Sequence, residues 1–298
     1  MAWNSALALD ALRNGDLLDL GMSANQIRHN LHPERVVTYE LCGRAASSGE
    51  GIGEVMPDGG SVDLEQIRYS TYSSVDTLRA LLVAQRERFP EVTFYHLAVS
   101  KLKDAAGNPL AEALPALHAA GLRSIVMDFD PLRSPSRGEL IRLLRATAEC
   151  DVFVSVTIAM GNSESLEQRI GTLETLRDIQ QDSHSIQVAR VRVHRTASPD
   201  ARREEEATAV DYLKMLAVTR IILDNVEHLQ ADWSVMGPKV LELALRFGAD
   251  DAGAVPWSQA GSPEPSHHGG ESELRRIIRD AGFRPVERDA LFRQNFLH

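Results

Sequence analysis

Cysteine is nearly absent. In 298 residues only Cys42 and Cys150 occur, far apart in the chain. That excludes a disulfide framework and a C-x-x-C zinc or redox pair, and the expected compartment is a reducing cytoplasm. Basic residues are outnumbered, 32 against 42 acidic ones, for a formal net charge of −10. Nucleic acid and anionic membrane both call for basic surface, so neither is an expected partner. Long apolar runs are missing too, and none approaches the roughly 18 residues of a membrane span. The opening MAWNSALALDALRNGD has no basic leader and reads as a helix, not a signal peptide. There is no P-loop and no G-x-S-x-G elbow, so nucleotide and serine hydrolysis lack support. No internal repeat is present.

What remains has the composition of an ordinary globular protein, 43% hydrophobic and 25% charged. Its length suits one large α/β domain or two small ones. Leu7, Leu9, Leu12, Leu17, Leu18 and Leu20 recur at helical spacing, and Gly21 is expected to end that stretch. Ser23 can then cap a short helix, ANQIRHNL, that stops before Pro33. Beyond it, apolar β-branched runs alternate with amphipathic ones. The strand candidates are 36–42, 67–72, 92–99, 123–130, 151–159, 186–193, 220–225 (RIILDN) and, more weakly, 250–255. Helices are expected near 75–88, 110–120, 136–149, 164–181, 203–217 and 235–247.

Strands interleaved with helices imply parallel pairing through right-handed crossovers, and eight in a row predict a (β/α) TIM-like barrel. An open doubly wound sheet is the alternative, disfavoured because no Gly-rich turn follows the first strand. Residues 43–63 and 256–270 read as loops. The expected organisation is a helical lead-in over 1–34, the barrel over 35–255, and over 256–298 a C-terminal loop and helix packing on it.

In such barrels the chemistry sits where strands end, at the C-terminal face. By that rule His96, Asp128, Asp130, Thr157, His194, Arg195, Asp224, Asn225, His228, Asp250 and Asp251 would converge on one cavity. His194 and Asp224 are the catalytic candidates. His96, Asp128, Asp130, Arg195, Asn225, His228 and Asp251 are the substrate-binding ones. Plainer readings stand beside these. Asp128 and Asp130 end a strand where the chain surfaces, and the alternation RVRVHR equally suits a solvated edge. One residue of the pair Asp224–Asn225 can simply cap a helix. His267 and His268 are adjacent, point apart, and fit an exposed loop better than a zinc site.

Several stretches resemble a known family. The block DYLKMLAVTRIILDNVEHLQADWSVMGPKVLELALRFGADDAG (211–253) is similar to the strand–LDN–helix–FGA-D-G block of cyclic dehypoxanthine futalosine synthase and aminofutalosine synthase, which are radical-SAM enzymes with deazaflavin-precursor synthases as cousins. SLEQRIGTLETLRDIQQD (165–182), ELRRIIRDAGFRPVERDALF (273–292) and DLLDLGMSANQIRHNLHPERVVTY (16–39) resemble other parts of that family. The resemblance implies a radical-SAM barrel and a nucleoside-like substrate facing Asp224, Asn225, His228 and Asp251.

The chain departs from the family where the cluster would bind. VVTYELC is followed by GRAASSGEGIGEVMPDGG, with Cys42 alone where relatives carry C-x-x-x-C-x-x-C. The glycines that relatives place after the second and fourth strands are also missing. From this departure, neither an iron–sulfur cluster nor S-adenosylmethionine is expected. The expectation is then a menaquinone-pathway pseudoenzyme that binds a futalosine-like ligand or a paralogous radical-SAM synthase. The alternative is a repurposed enzyme using Asp and His for acid–base or metal chemistry.

Overall fold

The β-branched runs pair in parallel and the amphipathic stretches between them lie outside, as expected. The computed structural model describes residues 5–42, 61–64, 75–88, 90, 93–99, 110–129, 137–160, 165–193, 207–231, 236–256 and 270–294.

Two helices lead in, α1 (Ser5–Asn14) and α2 (Leu17–Leu31). The break between them falls at Gly15–Asp16 and not at Gly21, because the Asp16 carboxylate accepts the Leu18 and Asp19 amides and caps α2. Gly21 lies inside α2. A Cβ there would sit 2.9 Å from the Phe247 ring, so its value is close approach and not termination.

The elements that follow are β1 (Val36–Cys42), β2 (Ser61–Asp63), α3 (Val75–Arg88), β3 (Thr93–Tyr95), β4 (Leu97–Ala98), α4 (Leu110–Ala119), β5 (Ser124–Phe129) and α5 (Arg137–Glu149). Next come β6 (Phe153–Met160), α6 (Leu166–Ser183), β7 (Val188–Val193), α7 (Ala209–Ile222), β8 (His228–Ala231), α8 (Pro238–Ala244), β9 (Asp251–Pro256), α9 (Glu271–Asp280) and β10 (Arg284–Arg288). The sheet runs β10-β1-β9-β8-β7-β6-β5-β4, parallel at every pairing. β3 and β4 are one strand interrupted at His96, which has φ 57. β2 pairs with β3 and lies against β1, so the sheet curls back to its start as a (β/α) barrel.

Three differences from the sequence expectations matter for the site. RIILDN is not a strand: Arg220–Ile222 end helix α7, and the strand is β8, a few residues later. The sequence misleads because α7 lies between the barrel and α2 and is buried on nearly every side, from Tyr212 to Ile222. A helix apolar all round loses its 3.6-residue signature. Second, the 43–63 stretch ends in a short strand, β2; its first part, 43–60, and the candidate strand 67–72 lie outside the described residues. Third, the C-terminal stretch adds a strand, β10, along Val36–Glu40 of β1.

The alternation within strands separates two surfaces. Val154, Val156, Ile158 and Met160 of β6, and Ala189, Val191 and Val193 of β7, join the continuous core beneath the helices. Ser155, Thr157, Arg190 and Arg192 therefore face the barrel axis. The same parity points Thr38 and Glu40 of β1, and Ser124 and Asp128 of β5, inward.

Candidate functional site

The shift of β8 moves a whole group of expected site residues to the other end of the barrel. Asp224 and Asn225 lie in the turn from α7 into β8, at the N-terminal ends of the strands. His228 opens β8, and Asp250 and Asp251 begin β9. These residues form a floor, not a mouth.

The floor is bonded in detail. Asp224 is half exposed and accepts from Arg177 Nη2 at 2.9 and 3.2 Å. Asn225 Nδ2 donates to the Arg177 carbonyl at 3.0 Å, and its own carbonyl accepts from Gln180 Nε2. Asp250 is buried and accepts from Arg220 Nη2 at 2.6 Å and from the Leu229 amide at 2.7 Å, and it pairs with His228 Nδ1 at 2.7 Å. Burial alone would raise the Asp250 pKa, but His228 and Arg220 outweigh it and hold the carboxyl well below its usual range. Burial likewise pulls His228 down, and the hydrogen bond and charge of Asp250 more than offset it, leaving the imidazole pKa raised.

The His228 ring lies in a stack. His32, at the end of α2, is 5.1 Å away on one side and Phe292 4.4 Å on the other, with Phe153 5.7 Å beyond Phe292. His32, His228 and Asp250 present ligand atoms within 4.8 Å of one another. A metal is not needed to explain them: Arg220 already balances Asp250, and His32 Nε2 lies 3.0 Å from the Glu227 carbonyl.

Asp251 is saturated as well. It accepts from Thr38 Oγ1 (2.7 Å), Gln230 Nε2 (2.6 Å), the Gly253 amide (2.8 Å), and Arg288 Nε (2.6 Å) and Nη2 (3.0 Å). Arg288 comes from β10, also meets Glu40 at 2.9 Å, and stacks on Phe292 at 3.7 Å. Here too burial is outweighed, by Arg288, and the Asp251 pKa falls. The expected pocket roles of Asp224, Asn225, His228 and Asp251 therefore meet a structure in which these groups tie the floor together. Gly248, at φ +100, lets this happen: a Cβ there would come within 2.8 Å of the Arg220 side chain, whose Nε donates to the Gly248 carbonyl.

Above the floor the inward faces stay polar. His96 is buried, and its amide donates to Ser124 Oγ at 2.8 Å. Asp128, Thr157 and Arg190 stand side by side in register on β5, β6 and β7. Arg190 Nη2 approaches Ser155 Oγ at 3.5 Å. Thr157 is fully buried, and its Oγ1 has no hydrogen-bond partner among the described residues. The RVRV alternation is thus inverted relative to a solvated edge: its valines pack under helices and its arginines face the axis. Sequence reasoning missed Arg190, Arg192, Glu40 and Arg288. Only that alternation, read for a strand flanked by helices, carried a signal. Asp130, His194 and Arg195 lie outside the described residues, as do the stretches following most strand C-terminal ends.

Residues 190–296 match the family model described as the CofH/MqnC C-terminal region. The chain is 24% identical to cyclic dehypoxanthine futalosine synthase of Halalkalibacterium halodurans, over 94% of this chain and 88% of that protein. It is 27% identical to the enzyme of that name from Streptomyces coelicolor, over 72% of this chain and 58% of that one. It is 28% identical to aminodeoxyfutalosine synthase of Thermus thermophilus, over 74% and 64% respectively. The chain thus spans less than two thirds of the last two relatives. Among solved structures, methylornithine synthase (PylB) superposes with a TM-score of 0.65 at 13% identity, covering 96% of this chain and 95% of that one. The FeFe-hydrogenase maturase HydG from Carboxydothermus hydrogenoformans gives 0.61 at 13%, covering 98% and 77%. At such identity these two establish the fold.

The comparisons correct the cofactor expectation. The relatives are radical-SAM enzymes that use an iron–sulfur cluster and S-adenosylmethionine, and the stretch after β1 lies outside the described residues, so absence of either group does not follow. The chain holds two cysteines, and Cys150 precedes β6 at the floor end with its thiol pKa pushed up by burial and by Glu149. Three thiolates cannot be drawn from this chain alone, and no catalytic step is assigned to a cluster. Iron and sulfide analysis after anaerobic reconstitution measures the matter directly. By sequence, residues 190–296 of this chain are similar to the CofH/MqnC C-terminal region and the chain is similar to futalosine-pathway synthases; by fold, it is a barrel like those of methylornithine synthase and HydG.

Proposed function

We propose that this protein serves the futalosine route to menaquinone as a ligand-binding barrel, taking a futalosine-like nucleoside into its axis and working beside a paralogous radical-SAM synthase. The observation that carries the reading is the polar axis. A protein that needed only a packed barrel would fill it with branched apolar side chains. Here Ser155, Thr157, Arg190 and Asp128 face the axis above a floor whose buried aspartates are already paired with arginines. Similarity over 94% of the chain to a cyclic dehypoxanthine futalosine synthase supports the pathway.

Within this reading the protein binds its ligand without turning it over. Isothermal titration with futalosine derivatives and co-purification with the paralogous synthase test it. Binding in the micromolar range or a stable complex is expected, and silence in both removes the reading.

A further inference from the structure

We infer that this chain associates with itself head to tail, the exposed apolar face of helix α2 in one copy seating in the groove between helices α3 and α4 of the next.

The projecting surface is Leu18 and Met22. They stand four residues apart on one face of α2, and they are 69% and 65% exposed although both are large and apolar. Leu20, Gly21, Ala24 and Arg28 bury the other face, so α2 cannot turn to cover the pair without uncovering its packed side. Asp19 is exposed beside Leu18, and its carboxylate meets no cation among the described residues.

The receiving surface lies where α3 packs beside α4. Exposed Val83 of α3 and Ala116, Ala119 and Ala120 of the α4 side line a groove of about 580 Å³, which continues past Glu87 to Pro90. An open apolar hollow between two helices takes the large side chains of a third helix laid along it. Two cations border this hollow. Arg79 and Arg86 are seven residues apart, about two helical turns, on the groove side of α3. Arg79 meets exposed Asp76 at 3.5 Å, and Arg86 donates to the Ala119 carbonyl at 3.1 Å. A guanidinium has five donors, so both keep some for a carboxylate such as Asp19. Glu87 is the one acidic group among the described lining residues. The groove is thus apolar with a mainly basic border, and the α2 face is apolar with an acidic neighbour.

Single apolar side chains on a surface are ordinary. Here a projection and a hollow that match in shape and in charge occur on one molecule. They also lie on different flanks: α2 packs on α7, whereas α3 and α4 border the strands β3 to β5. Their pairing is therefore heterologous, and each docked copy leaves one projection and one groove free for another. This inference is independent of the ligand reading above.

Sedimentation velocity of the full chain tests it. The average mass is expected to rise above that of one copy as concentration climbs through the micromolar range. Leu18→Ser with Met22→Ser, and separately Val83→Glu with Ala116→Glu, should each weaken association roughly tenfold or more. Asp19→Arg should weaken it about threefold to tenfold. All these positions are exposed, and an unchanged thermal melt shows that a variant keeps its fold. If the glutamate variant does not fold, Arg79→Asp with Arg86→Asp disables the groove in its place. Mixing the serine variant with the groove variant should restore a dimer and nothing larger, because each supplies the surface that the other lacks. A chain that stays monomeric at every concentration, association that both variants leave unchanged, or variants that fail to rescue one another overturns the inference. So does a monomeric chain whose groove instead binds the paralogous synthase and loses it on Val83→Glu.

Discussion

Two aspartates of this chain, each paired with an arginine, differ sharply in what their bonds contribute. Asp224 and Arg177 are both well exposed, and water competes for each group. Asp250 and Arg220 are buried, and removing one leaves the other charge stranded. Asp250→Ala should therefore cost about 3–5 kcal/mol in urea unfolding, and Asp224→Ala about 0–1 kcal/mol. Similar losses from the two variants would contradict this account of the floor. The same residues set a pH profile. The His228 pKa is raised, so its contribution is full below the ordinary imidazole value and is lost as pH climbs through the raised one. The Asp250 and Asp251 pKa values are lowered, so their contributions are full above the ordinary carboxylate value and fail as pH drops. Stability should be greatest between about pH 4 and about 6.5. His228→Asn should flatten the alkaline decline and leave the acid one, and an unchanged alkaline limb would count against the His228–Asp250 pair.

At the scale of elements, two helices make their own N-terminal ends, though the sequence reading expected α7 to start at 203 and placed a cap at Ser23, which lies inside α2. Ser165 and Gln168 form a reciprocal capping box at α6, and Thr208 with Asp211 does the same at α7. Ser165→Ala should lower stability by about 1 kcal/mol, read by thermal or urea melting, with no change in ligand binding. Local signals failed where neighbours decide. The C-terminal half of α7 reads as a strand because it is enclosed, and β10 reads as a tail because its pairing partner is β1, far away in sequence. Helix α9 is tied to β1 by Tyr39, whose hydroxyl donates to Glu271 and accepts from Arg275. Burial and Glu271 push the Tyr39 pKa up to about 12, so this tie holds through the physiological range.

At the scale of the whole molecule, the C-terminal strand closes the floor. Ending the chain after residue 283 would strip β10 from the edge of β1 and leave Glu40 and Asp251 buried without Arg288. Such a truncation should be insoluble or lack a cooperative transition by differential scanning calorimetry. A soluble, cooperatively melting product would show that the barrel floor closes without β10. Among the described residues no helix is long and apolar enough to cross a membrane.

The sequence alone determined the strand–helix alternation and the parallel barrel, because these follow from periodicity and propensity, which are local. It also named the 211–253 block as the most distinctive stretch. Which end of the barrel that block builds was a tertiary matter. A shift of a few residues in one strand carried Asp224, Asn225 and His228 from the mouth to the floor. The inward turn of Arg190 and Arg192 was decided there too, because a strand's parity has no direction until helices cover one of its faces.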